Sequence, residues 1–251
     1  MAIIKTEAIV LRRWELRETS LLVNFYTKES GKVSGELKGV RADPRKFASP
    51  VDVFSHNDII YYQKRNSSVH LVSQCDLRSV YPRIRSDLRL ISLASSLCEL
   101  LDGVMAPEDA NTEIFALALD CLAELENNNY PDKIMSIFKI KMLSLSGFKP
   151  HIDSCVSCGT ASSKQFKFSM GLGGLLCSSC RAKDTKTRQI FMGTIASIKH
   201  IEKNDLRNSL KLGLNPQIKR ELDFVLNSFL DYHLGKRLKS ERVLNAVTEG
   251  Q

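Results

Sequence analysis

The chain has 251 residues, of which 43% are hydrophobic and 25% are charged. These proportions are typical of a folded globular protein and exclude intrinsic disorder, a collagen repeat or a mini-protein. No uninterrupted apolar run reaches the roughly 18 residues that a membrane-spanning helix needs. Acidic and basic residues interrupt the N-terminus too early for a secretory signal, so we expect a cytoplasmic protein.

Basic charge is concentrated in the two end segments of the chain. Residues 1–80 hold 13 Lys and Arg against 9 Asp and Glu, and residues 151–251 hold 16 against 9. The middle, residues 81–150, holds 7 against 10 and is therefore acidic. The end segments favour contact with a polyanion such as a nucleic acid, and the middle favours a scaffold or a partner surface.

The first eighty residues predict a small β-barrel. Short apolar or alternating segments follow one another, and turn residues separate them, which is typical of an antiparallel barrel or sandwich. Eighty residues suit a five-stranded, partly open barrel of the OB type. The predicted strand segments are 7–11, 20–26, 31–37, 51–54, 59–62 and 69–72.

Cations and aromatic rings occur among these strands, and both are needed to bind a single nucleic-acid strand. Cations neutralise phosphates, and exposed rings stack on bases. The alternative is that the rings fill the barrel core and the charges form a solvated rim. The loop from Lys38 to Lys46 carries four cations and one acid, and it is the segment we favour for ligand contact. The aromatic residues in question are Trp14, Phe25, Tyr26, Phe47, Tyr61 and Tyr62.

The acidic middle changes to helical periodicity. Leucines three and four residues apart predict one helix from about residue 86 to Gly103, and similar stripes predict helices at 109–126 and from Pro131 to Gly147. Short loops would pack these helices as an antiparallel bundle. Cys98 and Cys121 fall on apolar faces, and we interpret both as small hydrophobic residues.

Four of the seven cysteines form two CxxC pairs, which are the strongest chemical signal in the sequence. Their spacing, C-x2-C-x18-C-x2-C, is typical of a zinc ribbon, and four thiolates would complete a tetrahedral, structural Zn²⁺ site. Two disulfides or four free thiols are the alternatives, and a reducing cytoplasm favours zinc over either. The predicted ligands are Cys155, Cys158, Cys177 and Cys180.

The C-terminal segment returns to helices, predicted at 194–203, at 205–212 and from Pro216 onwards. Four cations lie in residues 236–242, where they form either a second phosphate-binding patch or a solvated helix end. The sequence contains no P-loop, HExxH or GxSxG motif, so we expect no enzyme. Three functions stay open as alternatives. In decreasing order of support they are a zinc-ribbon DNA-binding regulator, a protein–protein adaptor and a metal-dependent nuclease.

The order of barrel, helices, four-cysteine ribbon and final helices resembles the RecO family of bacterial recombination-mediator proteins. The resemblance covers nearly the whole chain, although no single motif decides it. It is carried by Glu7–Arg13, Glu18–Thr19, Phe25–Thr27, Gly31–Lys32, Lys38–Arg41, Gly173–Cys177, Cys180 and Leu238–Ser240.

The resemblance implies an α+β fold in which an N-terminal OB-type β-barrel is followed by an all-helical domain with an inserted four-cysteine zinc ribbon. The domain boundaries that we predict are 1–80 for a DNA-binding OB domain, 81–150 for a helical bundle, 151–188 for the ribbon, and 189–251 for C-terminal helices packing with the helical domain.

The resemblance also implies a function in DNA repair and homologous recombination. It implies binding of single- and double-stranded DNA, annealing of complementary strands, partnership with RecR, and help in loading RecA onto DNA coated by single-strand-binding protein. One structural Zn²⁺ ion is the implied cofactor. The positions to which DNA contact is carried over are Arg12, Arg13, Lys38, Arg41, Arg45 and Lys46.

Overall fold

The computed structural model describes residues 2–43, 47, 51–127, 130–163, 165–235 and 240. These residues group into two compact units. The N-terminal unit spans Met1–Pro131 and includes Ser240, and the C-terminal unit spans Asp132–Arg237. The four-domain division that the sequence suggests stays a prediction.

The N-terminal unit is built on a closed five-stranded barrel with the strand order β1-β2-β3-β5-β4. β1 pairs antiparallel with both β2 and β4, and a short parallel pairing of β3 with β5 closes the barrel. This is the OB-type barrel that the sequence predicts. The strands are β1 (Ala2–Leu16), β2 (Ser20–Thr27), β3 (Gly31–Leu37), β4 (His56–Gln63) and β5 (Val69–Ser79).

The strand predicted at residues 51–54 is wrong. Val51 and Phe54 are buried, but this segment is a loop before β4, and Phe54 has a φ of +57°, which no strand adopts. The apolar pattern there reflects loop residues that fill the core rather than the period of a strand.

The barrel interior is narrow enough to require a glycine at one position of β3. A Cβ atom built on Gly35 would lie 2.4 Å from Val72 Cγ2 and 3.3 Å from the Phe25 ring. Other side chains of the same core are Ala8, Val10, Val23, Val33, Leu37, Ile59 and Tyr61.

We expect Gly35→Ala to destabilise the protein, because overpacking a filled core costs about 1–3 kcal/mol. Thermal and urea denaturation of the variant would measure this loss. Gly213→Ala is a suitable control, because a Cβ atom there has no neighbour within 4 Å. Equal stability losses in the two variants would contradict the close approach of β3 to β5.

Among the described residues of the N-terminal unit, the barrel is followed by α1 (Pro82–Ser86), α2 (Leu88–Val104) and α3 (Thr112–Asn127). α2 begins as predicted, because the Asp87 carboxylate accepts hydrogen bonds from the N–H groups of Arg89 and Leu90 at 2.8 and 3.2 Å. Sequence analysis did not predict α1.

Cys98 lies on the buried side of α2, where its thiol donates to the Val10 carbonyl of β1 at 3.7 Å. Burial raises the pKa of this thiol to about 12. Its interpretation as a small hydrophobic residue is therefore confirmed.

The C-terminal unit combines a four-stranded sheet, in the order β6-β8-β7-β9, with four helices. Within it, α4 contacts α7 through Ser136, whose hydroxyl donates to Asp223 at 3.0 Å, and through Lys139, whose ammonium donates to Asn227 at 2.6 Å. None of the helices in the described part of the chain is long and apolar enough to cross a membrane. The elements are α4 (Pro131–Leu145), β6 (His151–Cys155), β7 (Phe166–Ser169), β8 (Gly174–Cys177), β9 (Thr187–Ile190), α5 (Met192–Lys203), α6 (Leu206–Lys211) and α7 (Pro216–Leu234).

Candidate nucleic-acid interface and four-cysteine cluster

Two neighbouring strand ends bring the four predicted metal ligands together. Cys155 ends β6 and Cys177 ends β8, and the two strands pair in parallel. A tight turn follows Cys155, in which the Gly159 N–H donates to the Cys155 carbonyl at 2.8 Å and Gly159 has a φ of +76°. The turn after Cys177 leads in the same way to Cys180, whose N–H donates to the Cys177 carbonyl at 3.1 Å.

The four Sγ atoms all lie within 4.8 Å of one another. The Sγ atoms of Cys158 and Cys177 are 3.7 Å apart, which is too far for a disulfide bond. Four sulfurs at about 2.3 Å from a central ion form a tetrahedron whose edges are about 3.8 Å. The donor set and its spacing are therefore compatible with a zinc site, and four thiolates would leave no position for substrate.

The backbone around Cys155 favours its thiolate form. Burial opposes the charge, but hydrogen bonds from the N–H groups of Cys177, Cys158 and Ser157 outweigh burial and lower the pKa of Cys155 to about 6. The Cys177 N–H lies 3.4 Å from Cys155 Sγ. The thiolate is the form that binds a metal ion.

Arg12 and Arg13, two of the predicted DNA contacts, are ion-paired within the N-terminal unit. Arg12 Nε lies 3.0 Å from Asp102 of α2. Arg13 lies 2.8 Å from Asp52, and its guanidinium also donates to the Val51 carbonyl at 3.2 Å. Both arginines hold β1 to neighbouring segments, although 45% of the Arg13 side chain stays exposed.

Lys38 and Arg41 lie at one end of the barrel, beside the turn between β1 and β2. Lys38 is exposed directly after β3. The Arg41 N–H donates to the Thr19 carbonyl at 2.9 Å, and the Arg41 guanidinium lies 2.9 Å from Glu15 and 3.3 Å from the Arg17 carbonyl. The structure thus brings these two predicted residues to one exposed end, near Arg17.

Two further predicted contacts, Arg45 and Lys46, lie outside the described residues. The cation-rich segment 236–242 also lies outside them, apart from Ser240. The predictions for these positions stay predictions.

Most of the chain matches two family models, which describe the two parts of one protein. Residues 1–81 match "Recombination protein O N terminal", and residues 85–242 match "Recombination protein O C terminal". This chain belongs to the RecO family of DNA repair proteins. The resemblance given by the sequence motifs is therefore confirmed.

Curated members of the RecO family are similar to this chain over almost their full lengths. The DNA repair protein RecO of Alkaliphilus metalliredigens is 31% identical over 235 residues, which cover 93% of this chain and 95% of that protein. The DNA repair protein RecO of Syntrophus aciditrophicus is 29% identical over 250 residues, covering 97% and 95%. That of Bacillus pumilus is 29% identical over 245 residues, covering 98% and 94%.

Most aromatic residues of the RecO-family barrel are buried, in the barrel core or, for Tyr26, on the outer face against Phe115 of α3. Phe25, Tyr26, Phe47 and Tyr61 are buried, so these rings cannot stack on bases while the barrel is folded. Trp14 differs, because 44% of its surface is exposed. Sequence alternation alone did not distinguish Trp14 from the buried rings, since the strand faces could be assigned only from the register.

The segment before α3 covers part of the outer face of β2 and β3. Pro107 bridges to Lys32, and the Glu108 N–H donates to the Lys32 carbonyl at 3.3 Å. The Tyr26 hydroxyl donates to the Asn111 carbonyl at 3.4 Å. OB barrels bind oligonucleotides on the face of these strands, so the part around Lys32 and Tyr26 is closed to a ligand.

Proposed function

We propose that this protein is a recombination mediator that binds single- and double-stranded DNA and anneals complementary strands. With RecR, it helps to load RecA onto DNA coated by single-strand-binding protein. The observation that carries the proposal is that a closed OB barrel with an exposed basic end forms the N-terminal part of a RecO-family chain.

The mediator needs no bond-making chemistry, and we propose that it has none. It has to hold a charged strand of any sequence and to reduce repulsion between two strands that are about to pair. Cations do this by releasing the counterions of the phosphates. The proposed contacts are Arg12, Arg13, Lys38, Arg41, Arg45 and Lys46.

Ion pairing divides these contacts into two kinds. Binding a phosphate at Arg12 or Arg13 competes with Asp102 or Asp52. Lys38 is exposed at the barrel end and forms no ion pair among the described residues, so its charge is available to DNA. Arg41 also pairs with a carboxylate, but the Glu15 side chain is 71% exposed, so this pair is weak and a phosphate can replace it. We therefore propose that Lys38 and Arg41, at the barrel end, contribute more to DNA affinity than Arg12 and Arg13.

We propose that Cys155, Cys158, Cys177 and Cys180 hold one structural Zn²⁺ ion. The support is the donor set and its tetrahedral spacing. The ion would cross-link the ends of β6 and β8 and so stabilise the ribbon, for which we propose the range 151–188. We also keep the proposed ranges 1–80, 81–150 and 189–251 for the other domains.

The loading step can be tested on gapped DNA that is coated with single-strand-binding protein. Adding this protein together with RecR is expected to shorten the delay before RecA assembles, as followed by RecA-dependent ATP hydrolysis. Each protein added alone serves as the control. An unchanged delay, with normal DNA binding, would contradict the loading role but not the DNA-binding role.

A further inference from the structure

Trp14 lies on the open part of the barrel's outer face. It is directly opposite Leu22 of β2, and Leu22 is directly opposite Glu36 of β3. Residues that face each other across antiparallel strands point to the same side of the sheet. The Trp14 ring therefore shares a side with Leu22 and Glu36, whereas Phe25 of β2 is buried in the core.

A cleft of about 370 Å³ opens beside Trp14, between β1 and α2, within the N-terminal unit. Small-molecule pockets typically measure about 300–1,000 Å³, so this one has room for a single nucleotide unit. Apolar walls come from Leu11, Val53 and Trp14. Polar groups on the rim come from Arg12, Arg13, Ser95, Glu99 and Ser240.

Both signs of charge line the cleft, with one carboxylate and two arginines. The Glu99 carboxylate accepts hydrogen bonds from the N–H and the hydroxyl of Ser240, at 3.0 and 2.8 Å. Arg12 lies on the same side of β1 as Trp14, because it is opposite Asn24 of β2, and its side chain is 34% exposed. An apolar wall with a π-face beside a cation is the combination that single-strand binders use, with the base on the ring and the phosphate on the cation.

We propose that Trp14 is a stacking platform for one unpaired base of single-stranded DNA, with Arg12 beside the adjoining phosphate. The proposal rests on the proposed function and names the site that binds unpaired strands. Stacking does not depend on sequence, because every base has a π-face. It favours single strands over duplexes, because duplex bases are already stacked on one another.

Trp14 is the single tryptophan of the chain, so its intrinsic fluorescence reports on this cleft alone. Titration of the full chain with an oligothymidylate is expected to quench the Trp14 emission in parallel with binding measured by anisotropy. Oligonucleotide binding that leaves the emission unchanged would overturn the stacking proposal and leave the proposed DNA-binding function intact. An absence of binding at low salt would overturn both.

Two substitutions test whether binding depends on the aromatic ring of Trp14 or only on the presence of a large apolar side chain. Trp14→Leu is expected to weaken single-strand binding by about 5- to 150-fold, the range found when one stacking ring is removed. Trp14→Phe keeps a ring and is expected to weaken binding less. The slope of log K against log salt concentration should equal that of the parent protein in both variants, because no phosphate contact is lost.

Tyr130→Leu is the matched control, because Tyr130 is an exposed ring of the same unit, 67% exposed, at the start of α4. It should bind single strands like the parent. If Trp14→Leu also binds single strands like the parent but loses binding to a protein partner, the face belongs to a protein interface and the stacking proposal is overturned. Circular dichroism and thermal melting would confirm that the variants fold, as expected for a half-exposed residue.

Discussion

Replacing Lys38 and Arg41 together with glutamine is expected to weaken single-stranded DNA binding and to flatten its dependence on salt. Each phosphate contact adds about 0.7 to the slope of log K against log salt for a single strand, so two lost contacts lower the slope by about 1.4. Anisotropy titrations at several salt concentrations would measure both quantities. Adding Arg45→Gln and Lys46→Gln should lower the slope by a further 1.4 or so.

A charge-matched control tests whether the place of the cations matters or only the net charge. Lys28 and Arg78 both pair with Glu7 at 2.9 Å, away from the barrel end that carries Arg41. Lys28→Gln with Arg78→Gln removes the same two charges and is expected to keep nearly the parent slope. Equal slopes in the two double variants would show that Lys38 and Arg41 are not the contact site.

Replacing Cys155 with serine is expected to abolish zinc binding and to unfold the ribbon. Structural zinc in small peptide domains is bound with an apparent free energy of about 10–16 kcal/mol, and this energy is lost from folding when a ligand is removed. Elemental analysis should find one zinc per chain in the parent and none in the variant. Limited proteolysis should then cut the variant within residues 151–188.

The control for this experiment is a cysteine outside the cluster. Cys121 is fully buried in α3, so Cys121→Ala should lower the melting temperature and keep one zinc per chain. A normal zinc content in Cys155→Ser would show that the ligand assignment is wrong. A parent that stays free of zinc after refolding with the metal would contradict the metal site as a whole.

The parts of the fold that could be predicted from sequence are those that local spacing determines. The two CxxC pairs and their separation were sufficient to predict the four-cysteine cluster, because each pair is closed by one turn. The helix that starts at Pro131 was predicted from a local signal, as was the start of α2 near residue 86. The buried segment 51–54 was mistaken for a strand, because burial without strand geometry gives the same apolar pattern.

The parts that could not be predicted depend on contacts between distant residues. Arg12 pairs with Asp102, ninety positions along the chain, and nothing in the local sequence shows that this arginine is already engaged. The exposure of Trp14 follows from the register of β1 against β2 and from the position of α2. A list of cations and rings therefore predicted which residue types bind DNA but not which of them are accessible.

Annealing by the purified protein across a salt series is the measurement that tests the central claim most directly. Two complementary oligonucleotides, one with a donor dye and one with an acceptor dye, would be mixed with and without the protein. The account predicts faster annealing at low salt, a steep decline as salt rises, and no dependence on a nucleotide cofactor. Annealing at the uncatalysed rate in dilute buffer, or cleavage of the strands, would contradict it.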